Sequence, residues 1–277
     1  MTRALVLGAG ISPGLPWQAG LIEGLRRAGT DLGSADLIVA TSAGAFAGAL
    51  LAFGADLEPA IDGLLDAADA APPARPSADR FLTLFEILAD TAVPAEERRT
   101  RAARLSPVPD AGAAARRVDL VVGRLPSEEW PDYPLLLVAV DADTGERVVW
   151  RRGGAAPLGD ALRAACATPT IFAPVEAGGR RCVDGLVAST THADLTAGHD
   201  RVVVLDSLGH LRLPTAVLDA ELAAVRPAAT AVVGPGVETM RMFPLDIFDA
   251  AASRSAFQAG VRQAEAEADA VARVWNG

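Results

Sequence analysis

Short apolar runs that stop at glycine or at a small polar residue mark the predicted strands at the start of the chain. Arg3 to Leu7 stops at Gly8, and Leu37 to Ala40 stops at a threonine and a serine. Between the two runs, apolar residues at helical spacing predict a helix over Trp17 to Ala28, closed by a glycine. A second, small-residue helix is predicted as far as Leu51. This strand, helix, strand, helix order predicts a parallel sheet that helices cover on both faces.

The middle of the chain has helical spacing instead of strand patterns. Asp56 to Leu125 is rich in leucine and alanine and is interrupted by proline-bearing loops such as Ala71 to Ser77. We predict a mostly helical section that flanks the sheet. Within it, one apolar face would either pack on the sheet or form the wall of a cleft. Its members are Phe81, Leu82, Leu84, Phe85, Ile87 and Leu88.

Strand patterns return in the second half. Leu135 to Val140 and Arg147 to Trp150 predict two strands, with Asp143-Thr-Gly145 as the hairpin turn between them. With no internal repeat and no linker, we predict a single domain over residues 1–277, a three-layer α/β/α fold with a mainly parallel central sheet. The remaining predicted elements are a helix at Ala161–Ala167, strands at Arg181–Val183 and Arg201–Leu205, and a long amphipathic helix at Ser253–Trp275.

Composition narrows the classes of function. The formal net charge of −10 lacks the basic footprint of nucleic-acid binding, so no nucleic-acid partner is expected. All 25 basic residues are arginine, which excludes lysine-based covalent chemistry. The two cysteines and three histidines have neither disulfide nor metal-ligand spacing, and we predict no metal and no cofactor. No signal-peptide pattern and no membrane-length apolar run occurs, which favours a soluble, cytoplasmic protein.

A candidate nucleophile follows the second predicted strand. The segment Ala40-Thr-Ser42-Ala43-Gly44 stands between a strand and a helix, as in the elbow motif G-x-S-x-G. Small neighbours permit the sharp turn, and a helix N-terminus favours developing negative charge. The alternative interpretation is an ordinary serine near the N-cap of an alanine-rich helix.

Two further segments carry candidate chemistry. The loop Gly8-Ala9-Gly10-Ile-Ser-Pro-Gly14 follows the first strand, and its backbone N–H groups would bind a phosphate or an oxyanion, or would only make a tight turn. Val183-Asp184-Gly185 ends another strand, where the aspartate is either a turn residue or a base that reaches Ser42.

In this order and spacing, the three segments resemble the patatin-like phospholipase family over nearly the whole chain. The resemblance implies hydrolysis of lipid acyl esters by a Ser42–Asp184 dyad without histidine. It also implies a desolvated Asp184 base, since a carboxylate in water is a weak one. Other matching segments are the W-x-x-G-L-x-x-G-L helix at Trp17–Leu25, Val140 to Glu146, Ala164 to Pro169, Phe172 to Val175, and Asp194-Leu195.

The resemblance further assigns the oxyanion hole and the substrate. The backbone N–H groups of Ala9, Gly10 and Ala43 would hold the oxyanion. An acyl lipid or ester is the implied substrate, with room for transient contact with a membrane surface. We expect a cleft beside Ser42, walled partly by the helical section, and a preference for longer acyl esters over acetate. The motif glycines are Gly8, Gly14, Gly44 and Gly185.

Several positions depart from the family pattern. Ala9 and Ile11 replace loop glycines, Pro13 stands where many members have arginine, and Ala40 and Leu186 replace glycines of the other two motifs. These changes suggest a second hypothesis, a patatin-like protein that binds acyl lipids without turnover.

Two other site types compete with the dyad. An α/β-hydrolase triad would need a histidine after the acid, and His192, His199 and His210 all follow Asp184. A dinucleotide-binding loop would need a carboxylate at the end of the second strand, where this chain has none.

Overall fold

One eight-stranded sheet runs through the molecule in the computed structural model, which describes residues 1–10, 13–70, 78–105, 107, 111–211, 213–226, 228–241 and 250–277. The predicted Ala71–Ser77 loop and Ile11 lie outside the described residues. The strands are β1 (Arg3–Leu7), β2 (Leu37–Thr41), β3 (Leu135–Asp141), β4 (Arg147–Trp150), β5 (Val175–Ala177), β6 (Arg180–Asp184), β7 (Arg201–Leu205) and β8 (Ala229–Val233).

Helices follow several of these strands, and the longest helical stretch separates β2 from β3. Among the described residues, no helix has both the length and the apolar character needed to cross a membrane. The helices are α1 (Gly14–Arg27), α2 (Ala43–Ala52), α3 (Leu57–Asp69), α4 (Ala78–Ala89), α5 (Ala95–Ala103), α6 (Ala111–Val122), α7 (Leu158–Ala165), α8 (Leu218–Ala224), α9 (Val237–Met240) and α10 (Ala250–Trp275).

The sheet is mainly parallel, as predicted. Its strand order is β5-β6-β3-β2-β1-β7-β8, and β4 also pairs with β3. The neighbours β3-β2-β1-β7-β8 are all parallel, whereas the pairings of β4 and β6 with β3, and of β5 with β6, are antiparallel. The strands β5 and β8 were not predicted from the sequence pattern.

Two strands meet end to end along one edge of β3. Thr41, the last residue of β2, pairs with Val138, and Asp184, the last residue of β6, pairs with Ala139. Both β3 residues also pair with β4 on their other side, so β2 and β6 share the same edge. Because β6 runs antiparallel to β3, its carboxyl end points at the carboxyl end of β2. The residues at these two ends are therefore brought together by strand pairing.

Helices cover both faces, which confirms the three-layer architecture. Leu5 and Leu7 face a core built with α1, α2, α3, α6, α7 and α10. Ala4 and Val6 face the opposite side, which is covered by α8 and a 3-10 helix at Ala193–Thr196. On that second side, α4 and α5 pack against the end of β3 and β6. The helical section at 56–125 is thus divided between the two faces.

The first and last helices pack closely through glycines. A Cβ atom on Gly20 would collide with the carbonyl oxygen of Phe257, and one on Gly260 would collide with that of Trp17. The indole of Trp17 also donates a hydrogen bond to Gln263 at 2.9 Å. Backbone-to-backbone approach of this kind requires the absence of side chains at the crossing. It holds α10 in place against the helix that follows the glycine loop.

Candidate active site

Ser42 occupies a strained turn between β2 and α2. Its backbone has φ 55° and ψ −130°, a conformation that residues other than glycine rarely adopt. The turn is tight because α2 starts against the end of β1. A Cβ atom on Gly44 would lie 2.6 Å from the carbonyl oxygens of Leu7 and Gly8, which explains the glycine there. The predicted elbow is therefore present, with the serine side chain at its apex.

Asp184 lies within hydrogen-bonding distance of this serine. Ser42 Oγ donates to Asp184 Oδ2 at 2.7 Å, across 142 residues of sequence. The end-on meeting of β2 and β6 produces this contact. It also requires Gly185, where a Cβ atom would lie 2.8 Å from the Val138 carbonyl oxygen. The two side chains that sequence reasoning paired are hydrogen-bonded directly.

The Asp184 carboxylate is fully buried and hydrogen-bonded at both oxygens. Thr168 Oγ1 donates to Oδ2 at 2.7 Å, and the Leu186 N–H donates to Oδ1 at 2.9 Å. Burial raises the pKa of Asp184 to about 6, against the opposing effect of hydrogen bonds from Leu186, Thr168 and Ser42. A carboxylate with this pKa is a better proton acceptor near neutral pH than an exposed one.

The backbone N–H groups predicted for the oxyanion hole differ in availability. The Ala9 N–H donates to the Thr190 carbonyl oxygen at 2.7 Å, so it is already used and the assignment of Ala9 as an oxyanion donor is corrected. Among the described residues, no acceptor takes the N–H of Gly10 or of Ala43. Both residues line the cavity that opens at Ser42. Ala43 is also the first residue of α2, where helical N–H groups lack intrahelical partners.

His192, the alternative base, makes no contact with Ser42 among the described residues. The ring is buried, with Nε2 at 3.1 Å from the Gly185 carbonyl oxygen and Nδ1 at 3.5 Å from Arg147 Nη1. Burial and the Arg147 charge lower the pKa of His192 to about 4. Because the Ser42–Asp184 hydrogen bond is direct, no imidazole stands between the two. The geometry therefore does not support a histidine triad.

The sequence match agrees with this arrangement. The model of the family described as "Patatin-like phospholipase" matches residues 5–196, which include the glycine loop, the elbow and Asp184. This chain belongs to the patatin-like phospholipase family. The match ends before β7, so β7, β8 and α8 to α10 lie outside it.

Two solved structures are similar to this patatin-like chain. VipD from Legionella pneumophila is 14% identical, with 98% of this chain and 67% of that chain covered and a TM-score of 0.48. The type III effector protein ExoU is 16% identical, with 95% of this chain and 53% of that chain covered and a TM-score of 0.36. The patatin-like chain therefore spans about two thirds of the first and about half of the second.

Sequence reasoning missed the contacts that Thr168 and Cys166 make with Ser42 and Asp184. Thr168 is the second hydroxyl donor to Asp184, and Cys166 Sγ donates to the Ser42 carbonyl oxygen at 3.1 Å. Burial, together with the Asp184 charge, raises the pKa of Cys166 well above its ordinary value, so the thiol stays protonated. Both residues belong to the segment Ala164–Pro169, which matched the family pattern and could have indicated their position.

Gln18 supports the glycine loop and was also missed. Its side chain is fully buried on α1. Nε2 donates to the Gly8 carbonyl oxygen at 2.8 Å and to the Leu205 carbonyl oxygen at 3.2 Å, and lies 2.9 Å from Ser207 Oγ. It thereby ties the ends of β1 and β7 to the helix that follows the loop. A lone glutamine within an apolar helix face was the available signal.

Among the described residues, three side chains of the kinds that bind metal ions lie close together. Ligand atoms of His192, Asp194 and Glu221 lie within 4.8 Å of one another. However, Arg147 Nη1 donates to Asp194 at 2.8 Å and approaches His192, and Glu221 accepts the N–H of Ala193 at 2.9 Å. A guanidinium thus occupies the position next to two of the three ligands. The cluster is satisfied as an internal hydrogen-bond network, and we assign it no metal.

A cavity of about 160 Å³ opens at Ser42 between the helices α3 and α6. The helical section does contribute its walls, but through α3 and α6 and not through the predicted face of α4. Leu84 and Leu88 are buried instead on the opposite face of the sheet, and Leu82 is 60% exposed. The wall residues from α3 and α6 include Leu64, Leu65, Ala68, Ala114, Arg117 and Val121.

Proposed function

We propose that this chain is a serine hydrolase that cleaves acyl esters of lipids through an acyl-enzyme, reaching its substrates by transient contact with a membrane surface. The observation that carries the proposal is the 2.7 Å hydrogen bond from Ser42 to a buried Asp184, at a strained elbow. Membership of the patatin-like phospholipase family supports lipids as the substrate class. The mostly apolar cavity beside Ser42 supports an acyl chain as the group that binds there.

The first half of the reaction forms the acyl-enzyme. Asp184 takes the hydroxyl proton of Ser42 as Oγ attacks the ester carbonyl carbon. The carbonyl oxygen becomes an oxyanion, held by the N–H groups of Gly10 and Ala43 at the N-terminus of α2. The tetrahedral intermediate then collapses, and the leaving alkoxide receives the proton from Asp184. The alcohol departs, and the acyl group stays on Ser42.

The second half returns the free enzyme. A water molecule attacks the acyl carbon while Asp184 accepts its proton. The second tetrahedral intermediate uses the same two N–H groups and then expels Ser42 Oγ. That oxygen regains the proton from Asp184, and a carboxylic acid leaves. Asp184 therefore acts as base and as acid in each half, which its position against Ser42 Oγ permits.

Labelling with a fluorophosphonate and hydrolysis of p-nitrophenyl butyrate test the proposal together. We expect wild type to be labelled on Ser42 and to hydrolyse the ester. Ser42→Ala and Asp184→Asn should lower kcat/KM by at least about a thousandfold. His192→Gln is the matched control, and it should stay within a few-fold of wild type because the ring does not contact Ser42.

Two results would replace the proposal. If folded wild type is neither labelled nor active, the chain is an acyl-lipid-binding member of the family without turnover. If His192→Gln loses as much activity as Asp184→Asn, the base is the histidine and the dyad assignment is wrong.

A further inference from the structure

A second cavity adjoins the one at Ser42. It has a volume of about 340 Å³ and lies along α6 on the side of the segment that runs from Phe172 into β5. Val118 and Phe172 line both cavities, so these two side chains stand at the junction. The two cavities therefore lie side by side along α6, and the first of them opens at the nucleophile.

The first cavity is too small for a long acyl chain by itself. Its volume is about 160 Å³, and a protein cavity of about 150 Å³ holds one benzene molecule. An acyl group of more than about six carbons must therefore extend beyond this space. The second cavity is the continuation that the fold provides.

The second cavity suits an apolar chain. Its wall includes Ala115, Pro174 and Val175 besides the two junction residues. The two charged side chains that line it, Asp119 and Arg163, are joined by a hydrogen bond of 2.7 Å from Arg163 Nε. Because the two charges compensate each other, the cavity has no unmatched charge among these lining residues that an acyl chain would have to desolvate.

We propose that the acyl chain of the substrate passes from Ser42 between Val118 and Phe172 into the second cavity. Phe172 is then the specificity-determining residue that separates short acyl chains, held in the first cavity alone, from long ones that use both. This inference rests on the proposed hydrolase function and adds the route of the acyl chain and the residue that sets the preference for its length.

The test compares p-nitrophenyl butyrate with p-nitrophenyl palmitate. Phe172→Trp narrows the junction, and Ala115→Phe fills the second cavity from an exposed position of α6. Each buried methylene adds up to about fourfold to binding, so both variants should lower the palmitate-to-butyrate ratio of kcat/KM at least about tenfold. Leu120→Phe is the control, because Leu120 is 41% exposed on the same helix and lines neither cavity.

The outcomes distinguish a failure of the acyl-chain path from a failure of the proposed hydrolase function. If wild type and both variants share one palmitate-to-butyrate ratio, the path is wrong while the hydrolase proposal stands. If Leu120→Phe lowers the ratio as much as Ala115→Phe does, the effect does not come from the cavity and the inference fails. If Ser42→Ala hydrolyses butyrate like wild type, the hydrolase proposal fails and the path fails with it. Should Phe172→Trp not fold, Ala115→Phe decides the question.

Discussion

Thr168 donates its hydroxyl to Asp184 Oδ2 at 2.7 Å, the same oxygen that accepts the hydroxyl of Ser42. One carboxylate oxygen accepts both hydrogen bonds, and both stabilise the charged form of Asp184. Burial acts in the opposite direction and outweighs them, with the pKa of Asp184 at about 6 as the result. The basicity of the proposed base is therefore set by a balance that a single hydroxyl can shift.

Removing the Thr168 hydroxyl should move the pH dependence of hydrolysis. Asp184 must be ionised to accept a proton, so kcat/KM of wild type should rise with pH and level off above about 6. Thr168→Val removes a hydrogen bond to the charged form, worth about 1.5 kcal/mol. The acid limb should consequently move up by about one pH unit. Thr168→Ser keeps the hydroxyl and should leave the limb in place. A limb that stays fixed in the valine variant would show that Thr168 does not tune the base.

Neutralising Asp184 should stabilise the protein while abolishing its activity. The pKa of Asp184 is raised by folding, so the folded state holds its proton over a pH range where the unfolded chain has lost it. Wild type therefore loses stability as pH rises through about 6, by an amount on the order of 2 to 3 kcal/mol. Asp184→Asn carries no such cost. Urea unfolding should show it more stable than wild type at about pH 8 and no more stable at about pH 4.

A larger advantage of the asparagine variant at the lower pH would contradict this account. In that case the carboxylate would be stabilised by folding, and burial would not be the dominant effect on its pKa.

The backbone strain at Ser42 can be measured by comparing two inactive variants. Ser42→Gly and Ser42→Ala both remove the hydroxyl, but only glycine adopts φ 55° and ψ −130° without a steric penalty. The glycine variant should therefore be more stable than the alanine variant by at least about 1 kcal/mol. Thermal unfolding of the pair provides the measurement. Equal stability, or a more stable alanine variant, would mean that the elbow is not strained.

The close approach of α2 to β1 predicts that alanine in place of Gly44 destabilises the protein, whereas alanine in place of Gly63 stabilises it. Gly44→Ala places a Cβ atom 2.6 Å from two backbone oxygens and should cost about 1 to 3 kcal/mol. Gly63→Ala, within α3, meets nothing within 4 Å and should stabilise by about 0.5 to 1 kcal/mol. Denaturant unfolding of both variants tests the difference. A neutral Gly44→Ala would show that the elbow can shift away from β1.

The elements that carry local signals could be predicted from the sequence. β1, β2 and the elbow were placed correctly because a short apolar run followed by glycine or by small residues fixes both the strand and its end. β5 and β8 lack such a clear apolar run and were missed. β5 has only three residues, and β8, although as long as β1, leaves four of its five residues incompletely buried. β8 pairs with β7 across 28 residues of sequence, a contact that composition does not encode, whereas β5 and β6 form a local hairpin whose glycine turn at Gly178 and Gly179 was overlooked.

The candidate site shows the same division. Ser42 and Asp184 could be paired through family resemblance, whereas the occupied N–H of Ala9 could not be foreseen, because it depends on Thr190 from a distant segment. For the apolar face of α4 the sequence left two positions open, against the sheet or along the cleft, since an amphipathic pattern gives the apolar side of a helix but not the surface that it covers. Leu84 and Leu88 accordingly lie on the face away from the cavity.

The packing of α10 on α1 shows that the segment matched by the family model is shorter than the segment needed to cover the core. The family model recognises residues 5–196, but the helix that seals the glycine-bearing side of α1 begins at Ala250. A fragment cut at the recognised limit would leave Trp17 and Leu21 uncovered, and exposed apolar patches of this kind promote aggregation. A fragment that is to fold on its own, in a natural or an engineered fusion, therefore has to extend beyond the segment by which the family is recognised.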